Sequence, residues 1–304
     1  MLQGPVSSPT SSEKQPSASA MNVALCRAVA AHDPREEIRG RDTLAEVFLD
    51  RPARESLYVP ATHAIILKKL DTFSPGTYEY FIARTAYLDA IVEQALRDHI
   101  PQIVFLGAGY DTRALRFADL IGPTRIFELD SEPTQAHKRT LLAQADVSIP
   151  VALRFVPTDL TQQDLKETLA QAGYASDLHT LFVWEGVTYY LPPRAVEETL
   201  AFVRENAAAG SVICFDYMIT IPEMAGRYGA QQARDTMRTL YTDEPLLFDL
   251  AEDQVAAFLA ERGFDLLEHA TADKLRERYL TLRDGSLAGP MLDLFRLAQA
   301  AVRA

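Results

Sequence analysis

The chain has 304 residues, 48% of them hydrophobic, and a formal net charge of −12 at pH 7. This length suits one large α/β domain with an ample core, and the acidic balance disfavours nucleic acid or an anionic membrane as a partner. No apolar run is long enough to span a membrane, and the N-terminus lacks a signal-peptide core. The two cysteines, Cys26 and Cys214, fit a reducing compartment. We therefore expect a soluble, cytoplasmic protein.

The first hundred residues divide into a tail and a helical region. Residues 1–20 are rich in Ser, Pro and Gln, a composition typical of a disordered tail. An apolar pattern with helical spacing begins near Met21. Because residues 21–100 are too apolar for a tail and precede the first predicted strand, we expect them to form a helical cap over a sheet.

A buried strand followed by a glycine turn opens the central part of the chain. Residues 103–106 are apolar strand formers, and Gly107, Ala108 and Gly109 follow at once. A strand, a glycine turn and a helix in this order let a ligand approach the backbone where no Cβ intervenes. Thr112 stands where a dinucleotide fingerprint has its third glycine, which favours a smaller nucleoside ligand. A tight turn with no ligand is the alternative.

Three further strand patterns each end in an acid. Asp130 closes the second pattern about 20 residues after the glycines, the spacing at which a carboxylate meets ribose hydroxyls in doubly wound folds. Asp159 and Glu185 close the third and fourth patterns. The carboxyl ends of parallel strands form the ligand edge of an open sheet. Asp159 could instead cap a helix and Glu185 could end a surface strand. Glu128 and Arg113 are interpreted as structural partners of other charged groups.

The rest of the chain completes the sheet. Residues 211–217 predict a fifth strand, which ends the core of residues 101–217. Residues 218–250 carry Pro, Gly and many polar residues and are interpreted as an insertion that could act as a substrate lid. Residues 251–304 are expected to complete the sheet, with strands at residues 264–269 and within residues 292–302. The histidines are scattered without metal-ligand spacing, so no metal is expected. Beyond the tail, residues 21–304 are predicted to form a single domain.

The strand-end motifs resemble a known family. VFLGAGYDTR at residues 104–113, FELD at 127–130, TDL at 158–160 and EGVTYYL at 185–191 are similar to the leucine carboxyl methyltransferase family. They are closer to its bacterial branch of small-molecule O-methyltransferases, which use S-adenosyl-L-methionine. The resemblance covers roughly residues 22–217. It implies a Rossmann-like class I methyltransferase fold with a mostly parallel, seven-stranded sheet.

The resemblance also implies roles for individual residues. It places Asp130 at the ribose, Asp159 and Leu160 beside the adenine, and Glu185 near the methionine end of the cofactor. It further implies that two cap arginines, Arg27 and Arg84, hold the carboxylate of the cofactor's methionine. The planar guanidinium fork suits this task because it can donate two parallel hydrogen bonds.

Nothing in the sequence selects the methyl acceptor, its reacting atom, a general base or the oligomeric state. Tyr189, Tyr190 and Tyr217 are candidates for the acceptor pocket, although aromatic packing would explain them equally well. The leading hypothesis is O-methylation of a hydroxyl or carboxylate on a small molecule, in secondary metabolism. A carboxyl methyltransferase acting on a protein C-terminus and a nucleoside-binding module without turnover are the alternatives.

Overall fold

The computed structural model describes residues 15–160 and 164–304. Within them lies one seven-stranded sheet. The first five strands are β1 (Gln102–Leu106), β2 (Arg125–Asp130), β3 (Leu153–Pro157), β4 (Thr180–Trp184) and β5 (Val212–Met218). The last two are β6 (Phe264–Ala270) and β7 (Phe295–Val302). The predicted α/β class and the predicted seven strands are both confirmed.

The strand order is β3-β2-β1-β4-β5-β7-β6. The pairs among β1 to β5 are parallel, whereas β7 runs antiparallel to both β5 and β6. All five residues of β1 are buried, as are those of β4, because helices cover both faces of the sheet there. Since β1 to β5 are parallel, their carboxyl ends meet at one edge of the sheet.

Eleven α-helices lie among the described residues: α1 (Ala18–Ala31), α2 (Arg51–Leu57), α3 (Pro60–Phe73), α4 (Thr77–Arg97), α5 (Arg113–Arg116), α6 (Glu132–Gln144), α7 (Leu165–Gln171), α8 (Pro193–Glu205), α9 (Ala230–Leu240), α10 (Val255–Glu261) and α11 (Ala272–Tyr279). Short 3-10 turns connect several of them: Thr43–Phe48, Ala118–Leu120, Thr188–Tyr190, Ile221–Met224 and Glu252–Gln254.

Alternate residues of each central strand enter separate cores. Ile103 and Phe105 of β1 pack in the cluster that holds α4 and α11. Val104 and Leu106 point to the opposite face and pack in the cluster that holds α8 and α10. The helix α4, expected as part of a cap, therefore forms a layer against one sheet face, and it extends beyond the strand ends.

The N-terminal region begins earlier than the sequence pattern indicates. Residues 1–14 of the predicted tail lie outside the described residues. Helix α1 begins at Ala18, and the hydroxyl of Ser17 caps it by accepting the backbone N–H of Ala20 over 3.1 Å. The backbone N–H of Ser17 reaches the hydroxyl of Thr134 over 3.1 Å. Residues 17–20 are thus tied to the start of α6, and the helix starts three residues before Met21.

The segment after β5 crosses the carboxyl edge of the sheet. It contains the 3-10 turn Ile221–Met224 and the helix α9. Beyond α9, the backbone N–H of Leu247 donates to the carbonyl of Tyr189 over 2.7 Å, and that of Leu250 donates to Met218 over 3.0 Å. The predicted insertion therefore returns to the end of the strand from which it departs. No helix among the described residues is long and apolar enough to cross a membrane.

Candidate active site

The turn after β1 carries two glycines in left-handed conformations. Gly107 has φ +72° and Gly109 has φ +49°, values that favour glycine. A Cβ on Gly107 would lie 2.5 Å from Cγ2 of Val187, and one on Gly109 would lie 3.1 Å from the Cβ of Ala20. The glycines therefore admit the segment after β4 and the start of α1 close to the turn. The sequence analysis assigned that space to a ligand alone.

Asp130, the last residue of β2, is held by two backbone donors. Its Oδ2 accepts the N–H of Gly109 over 2.6 Å, and its Oδ1 accepts the N–H of Ser131 over 2.7 Å. Burial raises the pKa of Asp130, and these two N–H donors oppose that rise. Each carboxylate oxygen has a second lone pair for a ligand hydroxyl. The side chain is thus fixed in place before any ligand arrives.

Glu185 follows β4 and lies between two buried arginines. Its Oε2 accepts from Nη1 of Arg113 over 2.7 Å, and its Oε1 lies 2.9 Å from Nε of Arg84. Burial acts to raise the pKa of Glu185, but Arg113 and then Arg84 outweigh it and lower the pKa to about 2. Glu185 is therefore ionised at neutral pH. Its contacts with two buried arginines also exclude the alternative in which it merely ends a strand at the surface.

The two predicted cap arginines both reach this region. Arg84, on α4, also contacts Asp216 through Nη1 and Oδ2 over 2.8 Å. Arg27, on α1, donates Nη2 to the carbonyl of Tyr110 over 2.6 Å, and its Nε lies 3.4 Å from Oδ2 of Asp42. Both arginines are in position to meet a ligand carboxylate. Each also has a carboxylate of the chain as a neighbour, which the sequence did not show.

Asp216 is the residue of this network that the sequence analysis missed. It is fully buried near the end of β5, and its Oδ1 accepts the N–H of Gly186 over 2.7 Å. Its Oδ2 accepts the hydroxyl of Tyr80 over 3.1 Å as well as Arg84. An acid at the end of a predicted strand was the available signal, the same one that singled out Asp130 and Glu185. Asp216 fixes Arg84 and the turn after β4 together.

A cavity of about 630 Å³ opens at the carboxyl ends of β1 to β4. Its lining includes every residue predicted to bind the cofactor: Arg27, Arg84, Gly107, Ala108, Gly109, Asp130, Asp159, Leu160 and Glu185. These residues come from two cap helices and four strand ends. The fold therefore collects in one place side chains that lie up to 158 residues apart in the chain (185 − 27).

Two of the three tyrosines proposed for the acceptor pocket line the same cavity. Tyr189 and Tyr190 follow Glu185, and their rings lie 4.7 Å apart. Tyr217 does not line this cavity, so its prediction as an acceptor-pocket residue is corrected. Tyr217 neighbours Asp216 on β5, and successive strand residues point to opposite faces. Its hydroxyl instead lies 3.0 Å from Nε2 of His269, on the face covered by α8 and α10.

The segment after β3 lines the cavity without forming a helix cap. Asp159 and Leu160 follow β3 directly, and both belong to the lining. The next described helix, α7, has Asp164 as its N-cap, which accepts from the backbone of Lys166 over 2.9 Å. The alternative in which Asp159 caps that helix is therefore wrong.

The structural roles inferred for Glu128 and Arg113 are confirmed. Glu128 is buried and accepts from Nζ of Lys138 over 2.6 Å. Arg113 is fully buried and contacts Asp89 over 2.8 Å as well as Asp111. Neither Glu128 nor Arg113 is among the residues lining the cavity. Their ion pairs support the strand ends without facing the cavity.

The insertion and α1 meet across the cavity. The hydroxyl of Ser17 donates to Oε1 of Glu244 over 2.7 Å, and the amide of Asn22 donates to the hydroxyl of Tyr241 over 2.7 Å. All four residues line the cavity. Sequence analysis placed Ser17 in the tail and gave no reason to pair these segments, which are more than 200 residues apart.

Solved structures share this architecture. A methyltransferase of provisional assignment from Thermobifida fusca superimposes with a TM-score of 0.59 at 15% identity, covering 95% of this chain and 96% of that one. A protein of the DUF574 family from Streptomyces avermitilis gives a TM-score of 0.58 at 13% identity, covering 92% and 97%. At these identities the likeness concerns the fold alone. The strand order and the mostly parallel sheet are those of the class I methyltransferase fold.

The chain belongs to the leucine carboxyl methyltransferase family, whose model matches residues 20–204. A relative from Streptomyces avermitilis is 31% identical over 264 residues, 86% of each chain. Another from Streptomyces coelicolor is 35% identical over 197 residues, 64% of this chain and 66% of the relative. Both relatives carry the provisional name S-adenosyl-L-methionine-dependent methyltransferase. The family resemblance drawn from the strand-end motifs is confirmed.

Proposed function

We propose that the chain transfers a methyl group from S-adenosyl-L-methionine to an oxygen atom, a hydroxyl or a carboxylate, of a small molecule of secondary metabolism. The observation that carries this proposal is that all the residues predicted for the cofactor line one and the same cavity. We place the reaction in the cytoplasm, a compartment that suits the two free, buried cysteines.

The residues present fit the proposed cofactor. Asp130 is fixed by two backbone N–H groups and has lone pairs to accept from two ribose hydroxyls. Asp159 and Leu160 would border the adenine at the end of β3. Arg84 and Arg27 would meet the carboxylate at the other end of the molecule. The fixed acids also suit a ligand that carries a positive sulfonium and a positive ammonium group.

When bound, the cofactor would supply a methyl carbon whose bond to sulfur breaks, with its electron pair going to sulfur, as the acceptor oxygen forms the new bond. The chain's part is to align the acceptor and to keep bulk water away from the reacting atoms. Glu185 stays ionised and holds Arg84 and Arg113 in place. Burial raises the pKa of Tyr190, so its hydroxyl stays neutral and can orient an acceptor through a hydrogen bond.

The test is a transfer assay with S-adenosyl-L-methionine labelled in its methyl group. The purified chain is incubated with a low-molecular-weight metabolite fraction and, separately, with a protein fraction. We expect label in the metabolite fraction. Mild base then separates the products, because a methyl ester releases labelled methanol whereas a methyl ether does not.

Two outcomes contradict the proposal. Label found in protein alone would favour the protein-terminus alternative. Cofactor binding without transfer to any fraction would favour a binding module. The control is the Asp130→Ala variant, which should transfer less label in either fraction if the cavity is the active site.

A further inference from the structure

The cavity has a second part that the cofactor residues do not account for. Helix α9 bounds it on one side and several aromatic side chains bound it on the side of the sheet. Its lining includes Leu70, Phe81, Met237, Leu240, Leu292 and Phe295. We refer to this part as the apolar chamber. Its residues come from α3, α4, α9, the segment before β7 and the first residue of β7, so several distant parts of the chain build it.

Aromatic rings form one continuous wall of the apolar chamber. Phe295 stacks on Tyr80 with ring centroids 5.0 Å apart, and it lies 4.9 Å from the ring of Tyr189. Tyr189 in turn contacts Tyr190 at 4.7 Å. Such a wall suits a flat, apolar ligand, because offset or edge-to-face ring contacts add to the burial of apolar surface.

The charges around the cavity are unbalanced. Two arginines, Arg27 and Arg84, are the cations of its described lining. The acids of that lining are more numerous: Asp111, Asp130, Asp159, Glu185 and Glu244. Both arginines already lie within 3.4 Å of a carboxylate of the chain. If they also meet the cofactor's carboxylate, no cation of the described lining is left for a second anion.

We infer that the acceptor is an uncharged, largely apolar ring compound that is methylated on a hydroxyl group, rather than a carboxylate. This inference rests on the proposed function and narrows its substrate class. A carboxylate in the apolar chamber would lose its hydration without gaining a cationic partner. A neutral hydroxyl can exchange hydrogen bonds with the tyrosine hydroxyls there. Its proton passes to water as the carbon–oxygen bond forms.

The test compares two ligands that differ only in the reacting group, 2-naphthol and 2-naphthoate. The full chain is first saturated with S-adenosyl-L-homocysteine, and each ligand is then titrated by calorimetry at pH 7. At this pH the naphthol is neutral and the naphthoate is ionised. We expect the naphthol to bind at least about tenfold more tightly, a difference of about 1.4 kcal/mol. Equal or tighter binding of the naphthoate, or no binding of the naphthol, would overturn the inference.

Substitutions on α9 test whether the apolar chamber is the site of this preference. Met237→Arg places a cation on its wall and should reduce the preference for the naphthol at least about tenfold. Leu240→Arg, at a position 54% exposed, provides a second variant that does not disturb a core contact. Gln231→Arg is the matched control, because Gln231 is exposed on the same helix and does not line the cavity.

The results separate this inference from the function on which it rests. Failure of the wild type to bind S-adenosyl-L-homocysteine would contradict the proposed function. Normal binding of that molecule together with an unchanged ligand ratio in both Met237→Arg and Leu240→Arg would contradict the apolar chamber as the acceptor site. A ratio that shifts equally in Gln231→Arg would show a general charge effect and would also overturn the inference.

Discussion

Replacing Asp130 by alanine should weaken cofactor binding and also lower the stability of the fold. Asp130 accepts two backbone N–H groups, from Gly109 over 2.6 Å and from Ser131 over 2.7 Å. In the variant, both donors lose a charged acceptor. Because they lie at the cavity, water can replace part of what is lost, so we expect a decrease in the free energy of unfolding of about 1–3 kcal/mol.

The expected loss of cofactor affinity follows from the same carboxylate. Hydrogen bonds to a charged group contribute about 1.5–3 kcal/mol. Loss of the contact with the ribose hydroxyls should therefore raise the dissociation constant of S-adenosyl-L-homocysteine about tenfold to about 150-fold. Burial raises the pKa of Asp130, and the two backbone N–H donors act against that rise because they favour the ionised form.

The assay for Asp130→Ala is calorimetric titration at a temperature well below the unfolding transition, with thermal unfolding measured separately. Asp119→Ala is the matched control, since Asp119 is an exposed acid outside the cavity in the same connection between β1 and β2. A folded Asp130→Ala variant that binds with wild-type affinity would refute the role of Asp130 at the ribose. A stability loss without an affinity loss would leave it a purely structural residue.

Two further substitutions and a pair of N-terminal deletions also test the site. Arg84→Ala should weaken binding of S-adenosyl-L-homocysteine. The loss of affinity on going from S-adenosyl-L-methionine to its decarboxylated form should also be smaller in this variant than in the wild type. An equal loss in both proteins would rule out a contact between Arg84 and the ligand's carboxylate. Deleting residues 1–14 should leave cofactor affinity unchanged. Deleting residues 1–20 removes the first turn of α1 from the cavity wall and should lower cofactor affinity. Calorimetric titration of both shortened chains checks this. Tyr217→Phe should keep wild-type cofactor affinity and lose about 0.5–1.5 kcal/mol of stability through its lost hydrogen bond, and an affinity loss would return Tyr217 to the site.

Local sequence patterns located the cofactor side of the site. An apolar run that ends in glycine or in an acid marks the carboxyl end of a buried strand, and parallel strands bring such ends to one edge. Asp130, Asp159 and Glu185 each carried this signal, and each lines the cavity. Asp216 carried it as well and was overlooked. The individual strands were predicted from local apolar runs, whereas the mostly parallel, seven-stranded sheet was implied by the family resemblance.

The residues on the acceptor side of the site could not be predicted from local sequence patterns. Whether Tyr217 or its neighbour faces the cavity depends on the register of β5, and a shift of one residue exchanges the two faces of a strand. The composition of residues 1–20 suggested a uniform tail, but Ser17 meets Thr134 and Glu244 through tertiary contacts. The path of α9 across the strand ends is likewise set by packing between distant segments.

The central claim is that S-adenosyl-L-methionine binds at the carboxyl ends of β1 to β4. A crystal structure of the full chain with S-adenosyl-L-homocysteine tests it most directly. We predict that the ribose hydroxyls lie within hydrogen-bond distance of the Asp130 carboxylate, with the adenine beside Leu160 and the ligand carboxylate near Arg84. Density for the ligand outside this cavity, or ribose hydroxyls that make no contact with Asp130, would contradict the account.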